Sequence, residues 1–252
     1  MKKHSLISIL LFSMFLILAC SDDSTSPIED DDDGLPTGTL GTVTDIDGNE
    51  YQTIKIGKQW WMTENLRVTR YRNADSIRHV PDDNEWTTLT EGGYSIYDHH
   101  GANIITYGLL YNGYAAQDSR NIAPDGWRVA TDDDWKELEV FLGIPESELN
   151  DNQWRGTNEG DKIKESGTLH WVAPNANATN EYGFTAQPNG FRSSLNANFI
   201  GLAHQAYFWT SSVYNNGSDI YGWARGLHRD HTEISRVYYN NNNGFGVRCI
   251  KD

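Results

Sequence analysis

The hydrophobic pattern of the chain changes period along its length, and each change predicts a different element. Leu6 to Leu18 is a 13-residue, mostly apolar stretch behind Lys2 and Lys3. It is shorter than the ~20 residues that span a bilayer and has the form of a secretory signal. Period two follows in Val43–Ile46 and Tyr51–Ile56, around Asp47-Gly48-Asn49. Asp-Gly supplies the positive φ of a tight turn, so this segment predicts an early β-hairpin. The pattern becomes helical at Thr131–Leu142, TDDDWKELEVFL, where Trp135, Leu138, Phe141 and Leu142 recur on one face. Thr131 is the expected N-cap, Asp134 its reciprocal partner, and Gly143 with Pro145 the stop. A second, shorter helix is expected around Glu159–Glu165. Beyond residue 180 short apolar runs alternate with Gly/Asn turns. They predict strands at Tyr182–Ala186, Ala206–Val213, Ile220–Leu227, Ile234–Tyr239 and Phe245–Ile250. In the last, Phe245, Val247 and Cys249 share a face, which makes Cys249 a buried core thiol. The expected fold class is α+β, with one or two helices packed on a late antiparallel meander.

The N-terminal segment carries the address. Ile17-Leu18-Ala19-Cys20 resembles a bacterial lipobox, in which cleavage leaves Cys20 first and acylated. Residues 1–19 are then a lipoprotein signal peptide. Residues 20–36 (CSDDSTSPIEDDDDGLP) are too acidic and apolar-poor to form a core, so they read as a solvated tether, and 37–252 as a single domain. Ser21-Asp22-Asp23 resembles the acidic export signals of surface lipoproteins. The expected location is the outer membrane on its outer face, with the membrane as a partner through the lipid. The whole chain has 35 Asp and Glu against 20 Lys and Arg, a formal charge of −15. That balance argues against nucleic acid as a partner, because phosphate neutralisation needs clustered cations. Two cysteines supply neither a disulfide framework nor a four-thiolate zinc site. No cofactor is expected. Calcium is the one ion worth weighing, because Asp45, Asp47 and Asn49 mimic half of a calcium loop, but residue 56, where the loop needs a glutamate, is Ile.

Several strings then occur together in order: Trp61-Met62-Thr63-Glu64-Asn65-Leu66-Arg67, Tyr107-Gly108-Leu109-Leu110-Tyr111-Asn112, Pro124-Asp125-Gly126-Trp127-Arg128-Val129, Gly190-Phe191-Arg192, Phe208-Trp209-Thr210-Ser211-Ser212 and Gly244-Phe245-Gly246-Val247-Arg248-Cys249. In this order they resemble the Fibrobacter succinogenes major paralogous domain, a family of secreted or lipid-anchored bacterial surface proteins, from about Gly41 to Asp252. The resemblance brings no established activity with it. Trp127 to Thr131 followed by Asp134-Trp135 is also similar to the strand–helix junction of formylglycine-generating-enzyme-like domains, which implies a C-type-lectin-like fold. Many relatives have Cys-Pro where this chain has Ala123-Pro124, so Cys249 is single here. One terminal cysteine lacks the redox pair that formylglycine chemistry needs.

Catalytic signatures are absent from the string: no Gly-x-Ser-x-Gly, His-Glu-x-x-His or Walker loop occurs. His228, Asp230 and His231 are the nearest approach to a base and its orienter. His99, His100 and His204 have no ligand-like spacing. Arg192 and Arg248 read as structural cations paired with core-edge carboxylates such as Glu64 or Asp134. Trp60, Trp61, Trp127, Trp135 and Trp209 read as core. The resemblance to lectin-like folds puts recognition on the C-terminal half, Ala186 to Asn243. Candidate ligand-binding residues there are Tyr214, Asn215, Asn216, Asp219, Trp223, Arg225, His228 and Asp230, with Tyr238-Tyr239 beside them. Each group combines aromatic rings with amides or carboxylates that can bracket a hydroxyl-rich ligand. Asn-Gly and Asn-Asn runs are equally read as turns. The expected function is non-catalytic binding of a glycan or other extracellular polymer. An adhesive protein that binds surface-protein ligands is the alternative, and a polysaccharide-acting enzyme the third reading. Replacing Cys20 with Ala should move the protein out of the membrane fraction and abolish acyl labelling; a labelled, membrane-bound Cys20→Ala variant would remove the lipid anchor from this reading.

Overall fold

The computed structural model describes residues 33–175 and 177–252. The signal peptide, Cys20 and the tether as far as residue 32 lie outside them. The chain enters as a hairpin of β1 (Leu40–Thr44) and β2 (Glu50–Ile56), followed by β3 (Gln59–Met62). Gly48 at φ +85° and Asp45 make the turn. The Asp45 carboxylate accepts from the Asp47 and Asn49 amides, the Asn49 side chain and the Tyr51 hydroxyl. Of the half-calcium motif, Asp45 and Asn49 thus hold the hairpin, while the Asp47 carboxylate accepts from Thr69 and Arg70 outside it. An irregular region follows, carrying β4 (Arg78–His79), α1 (Asp83–Thr88), β5 (Gly93–Ser95), α2 (Asn103–Tyr107), β6 (Leu110–Tyr111) and α3 (Gly113–Ala116). After β7 (Trp127–Val129) comes α4 (Asp132–Leu142), then β8 (Gln153–Arg155) and α5 (Glu159–Ile163). The remainder is β9 (Asn189–Arg192), β10 (Phe199–Leu202), β11 (Gln205–Asn215), β12 (Ile220–His228), β13 (Ile234–Tyr239), β14 (Gly246–Val247) and β15 (Cys249–Lys251).

Among the described residues the strands form three sheets. The first runs β1-β2-β3-β15-β7, the second β10-β9-β11-β12-β13-β8 with β14 beside β11, and a small third β4-β5-β6. The fold is α+β, with β11, β12 and β13 as the antiparallel meander. The capping box at the start of α4 is complete: Thr131 accepts from the Asp134 amide while Asp134 accepts from the Thr131 amide. Gly143, left-handed at φ +119°, closes the helix. Trp135 packs among Trp61, Phe184 and Phe208, with ring centroids 5.1, 5.5 and 5.8 Å away. Leu138 and Leu142 join it in this core. Phe141 departs from the expected face: it is 41% exposed and meets Tyr182 on the flank.

Two strand expectations are corrected. Tyr182–Ala186 is irregular, because Gly183 and Thr185 hold positive φ and the Asn180 side chain ties up the Thr185 amide and hydroxyl. Phe245–Ile250 is not one strand. β14 pairs parallel with β11 in the second sheet, while β15 pairs with β3 and β7 in the first. Arg248 stands at the crossing. It donates to the Asn65 side chain and to the carbonyls of Met62, Phe184 and Thr185. No carboxylate is among those acceptors, contrary to expectation, and burial pulls its guanidinium below the ordinary arginine value. Arg192 does pair with an acid, but it is Asp83, at 2.7 Å. Cys249 is a buried free thiol that burial pushes well above its ordinary pKa. The end of the expected tether is also attached: Asp33 accepts from the Lys55 ammonium and from the Trp60 indole at 2.7 Å.

Trp135→Ala should cost about 3–5 kcal/mol, the usual loss for emptying a buried tryptophan site. Chemical denaturation of the variant measures it, and an unchanged midpoint would contradict the packing of α4.

Candidate functional site

The meander has two faces, and period two sorts them. Tyr221, Trp223, Arg225 and Leu227 of β12 point one way; Gly222, Ala224 and Gly226 point the other. The register places Tyr214 opposite Tyr221, Tyr238 opposite Trp223, and Phe208 and Arg236 on either side of Arg225. The second face backs onto Trp209 and Phe245 in one core cluster, and the first carries α4.

Under α4 lies a buried ion cluster. Asp132 and Glu139 are seven residues apart, two turns of one helix, and so share a side. Asp132 accepts from Arg225 at 2.8 Å, from Arg236 at 2.8 and 2.9 Å, and lies 3.0 Å from Lys136. Glu139 takes Arg225 at 2.6 Å and Arg155 at 2.7 and 3.0 Å. Arg225 is thus corrected as a candidate ligand-binding residue. Its side chain is 1% exposed, and each of its three nitrogens donates to the helix.

Past the start of α4 the same sheet face is uncovered, and the aromatic residues stand there. Tyr214 and Tyr238 lean in from β11 and β13 and stack at 4.2 Å and 24°. Both meet Trp223 edge-on at 5.4 Å. Tyr221 lies 5.4 Å from Tyr238 and 6.5 Å from Tyr214. Trp223 is only 9% exposed, with the Arg236 guanidinium 3.5 Å from its ring centroid, so it is the floor of the group rather than its surface. Tyr238, at 36%, is the most open ring, and Tyr214 and Tyr221 are half-buried. Tyr221 escapes the candidate set read from sequence, although it sits two residues before Trp223 on a predicted strand and period two would have found it.

The other candidates separate. Asn215, Asn216 and Asp219 form the β11–β12 turn. The Asn215 side-chain carbonyl accepts from the Gly217 amide, and that of Asn216 from the Ser218 and Asp219 amides. These two acceptors serve the turn, while the exposed Asp219 carboxylate stays at the tip. His228 and Asp230 lie at the opposite end of β12, about 26 Å away by the rise of a strand. His228 Nδ1 accepts the Asp230 amide at 3.1 Å and lies 3.6 Å from its carboxylate. A base oriented by a carboxylate must donate through that nitrogen, so the pair is not arranged as base and orienter. Burial lowers the His228 pKa against the pull of Asp230. His231 stacks flat on Trp154 at 3.9 Å. Asp133 is exposed, Asp134 caps α4, and among the described residues no group of three or more His, Cys, Asp or Glu is placed to hold a metal ion.

The molecule is therefore an α+β domain whose late meander presents a stacked aromatic surface braced by a buried ion cluster. It belongs to the Fibrobacter succinogenes major domain family, whose model matches residues 54–251. No curated protein and no solved structure matches the chain.

The ion cluster sets a pH dependence. Burial alone would raise the Asp132 carboxyl, but Arg236, Arg225 and Lys136 outweigh it and hold it well below the ordinary aspartate range. Its contribution to stability is complete above about pH 4 and drains away as pH falls towards the lowered value. Asp132→Asn should be less stable by about 3–5 kcal/mol at pH 7, since it leaves buried guanidinium groups uncompensated, and the gap should narrow on acidification. Denaturant titrations at a series of pH values test this; a gap that stays constant down to pH 3 would contradict it.

Proposed function

We propose that this chain is a lipid-anchored module of the bacterial outer surface that binds a glycan or comparable extracellular polymer and performs no chemistry on it. The observation that carries the reading is the group of tyrosines over Trp223. Three partly exposed rings sit within 4.2 to 6.5 Å of one another on a strand scaffold rather than on a mobile loop. Flat rings offer C–H-rich sugar faces a desolvated surface, and phenol hydroxyls offer hydrogen bonds at its margin. Soluble proteins leave few aromatic rings clustered at the surface without a use for them. The anchoring part of the proposal rests on the Ile17–Cys20 motif and the acidic residues after it. The lectin-like architecture is supported by the Trp127–Trp135 strand–helix junction and by the pairing of the last strand with β3 and β7.

Tyr214→Ala together with Tyr238→Ala should abolish retention on the cognate polysaccharide, with the thermal midpoint within a few degrees of the parent, because both rings are at the surface. Pull-down on a panel of insoluble polysaccharides provides the measurement. A folded double variant that is retained as well as the parent would turn the reading towards protein adhesion.

A further inference from the structure

We infer that the tyrosine surface selects uncharged, hydroxyl-rich glycan chains and excludes polyanionic ones; this deepens the proposed function and rests on it. Anionic sugars are held by exposed guanidinium or ammonium groups, which supply paired donors to a carboxylate or sulfate. Among the described residues, the cation that touches this ring group is Arg236, beneath Trp223. It is buried, and two of its nitrogens are committed to Asp132. Lys136, the next cation along the helix, is likewise paired, with Asp132 and Asp133. Exposed acids stand in the turn (Asp219) and in the first turn of α4 (Asp133), while Arg128, a partly exposed cation at the helix start, is already paired with Asp134 and Asp252. A chain with a formal charge of −15 adds long-range repulsion of the same sign. The phenol groups of Tyr214, Tyr221 and Tyr238 can donate to and accept from neutral hydroxyls, which suits an uncharged ligand. The stacked pair with Tyr221 beside it is broader than one ring, so the surface suits a polymer over a single sugar.

Electrophoresis of the full chain in detergent, through native gels containing hydroxyethyl cellulose, galactomannan or polygalacturonate, tests the inference. Retardation is expected in at least one neutral gel and not in polygalacturonate. It should persist at about 0.5 M salt, where exposed charge interactions are screened. Tyr238→Ala should weaken it at least tenfold and Tyr238→Phe should keep most of it, which separates the ring from a general loss of fold. Retardation by polygalacturonate that fades with salt would overturn the inference while leaving polymer binding in place. Passage of the parent protein through all three gels unretarded would overturn the proposed function itself.

Discussion

The placement of one helix on one sheet depends on five charged side chains. Arg225 and Arg236 are direct cross-strand neighbours on β12 and β13, a like-charge pairing that is unfavourable in isolation. Arg155 comes from β8, the strand next in the sheet. Three buried guanidinium groups on adjacent strands require anions, and α4 supplies Asp132 and Glu139 at the spacing that keeps them on one side. Advancing the helix by one residue would turn both carboxylates about 100° away together and leave buried charge unpaired, a cost of several kcal/mol. Apolar packing around Trp135 tolerates small shifts; the ion cluster does not. It fixes the helix axis, the strand register and the depth of the interface together.

That same constraint creates the candidate binding surface. The sheet face is continuous from Leu227 to Tyr221, yet α4 covers it only as far as Asp132. The side chains beyond that point are aromatic, and Arg236 belongs to both regions, bonded to Asp132 and lying against Trp223. Tyr214 and Tyr238 then close over the indole. The exposed rings are therefore attached to a part of the domain held by the ion cluster, which reduces the ordering cost that a ligand would otherwise meet on binding.

Arg248 plays a comparable part at the end of the chain. By filling the junction with donors to Met62, Phe184 and Thr185, it lets one six-residue run serve two sheets. It also helps to keep Tyr182–Ala186 from forming a strand, since the Phe184 and Thr185 carbonyls face its guanidinium instead of a neighbouring ladder.

Local signals in the sequence determined the elements whose logic is local. The Asp-Gly hairpin, the Thr131 capping box with its Gly143 stop, and the strands of the meander were all legible, because turn dihedrals, cap hydrogen bonds and hydrophobic period are written within a few residues. The family was legible for the same reason, in short motifs that keep their order. Partner choice was not. Arg225 reads as a surface donor until tertiary packing brings Asp132 and Glu139 from some ninety residues away. Trp223 reads as an exposed ring until two tyrosines from flanking strands cover it. Asn215 and Asn216 were open between turn and ligand roles, and only the observed hydrogen bonds assign their carbonyls to the turn. Hydrophobic period says which way a side chain points from its own strand; whether it meets water, a carboxylate or another ring depends on what the rest of the chain lays against that face.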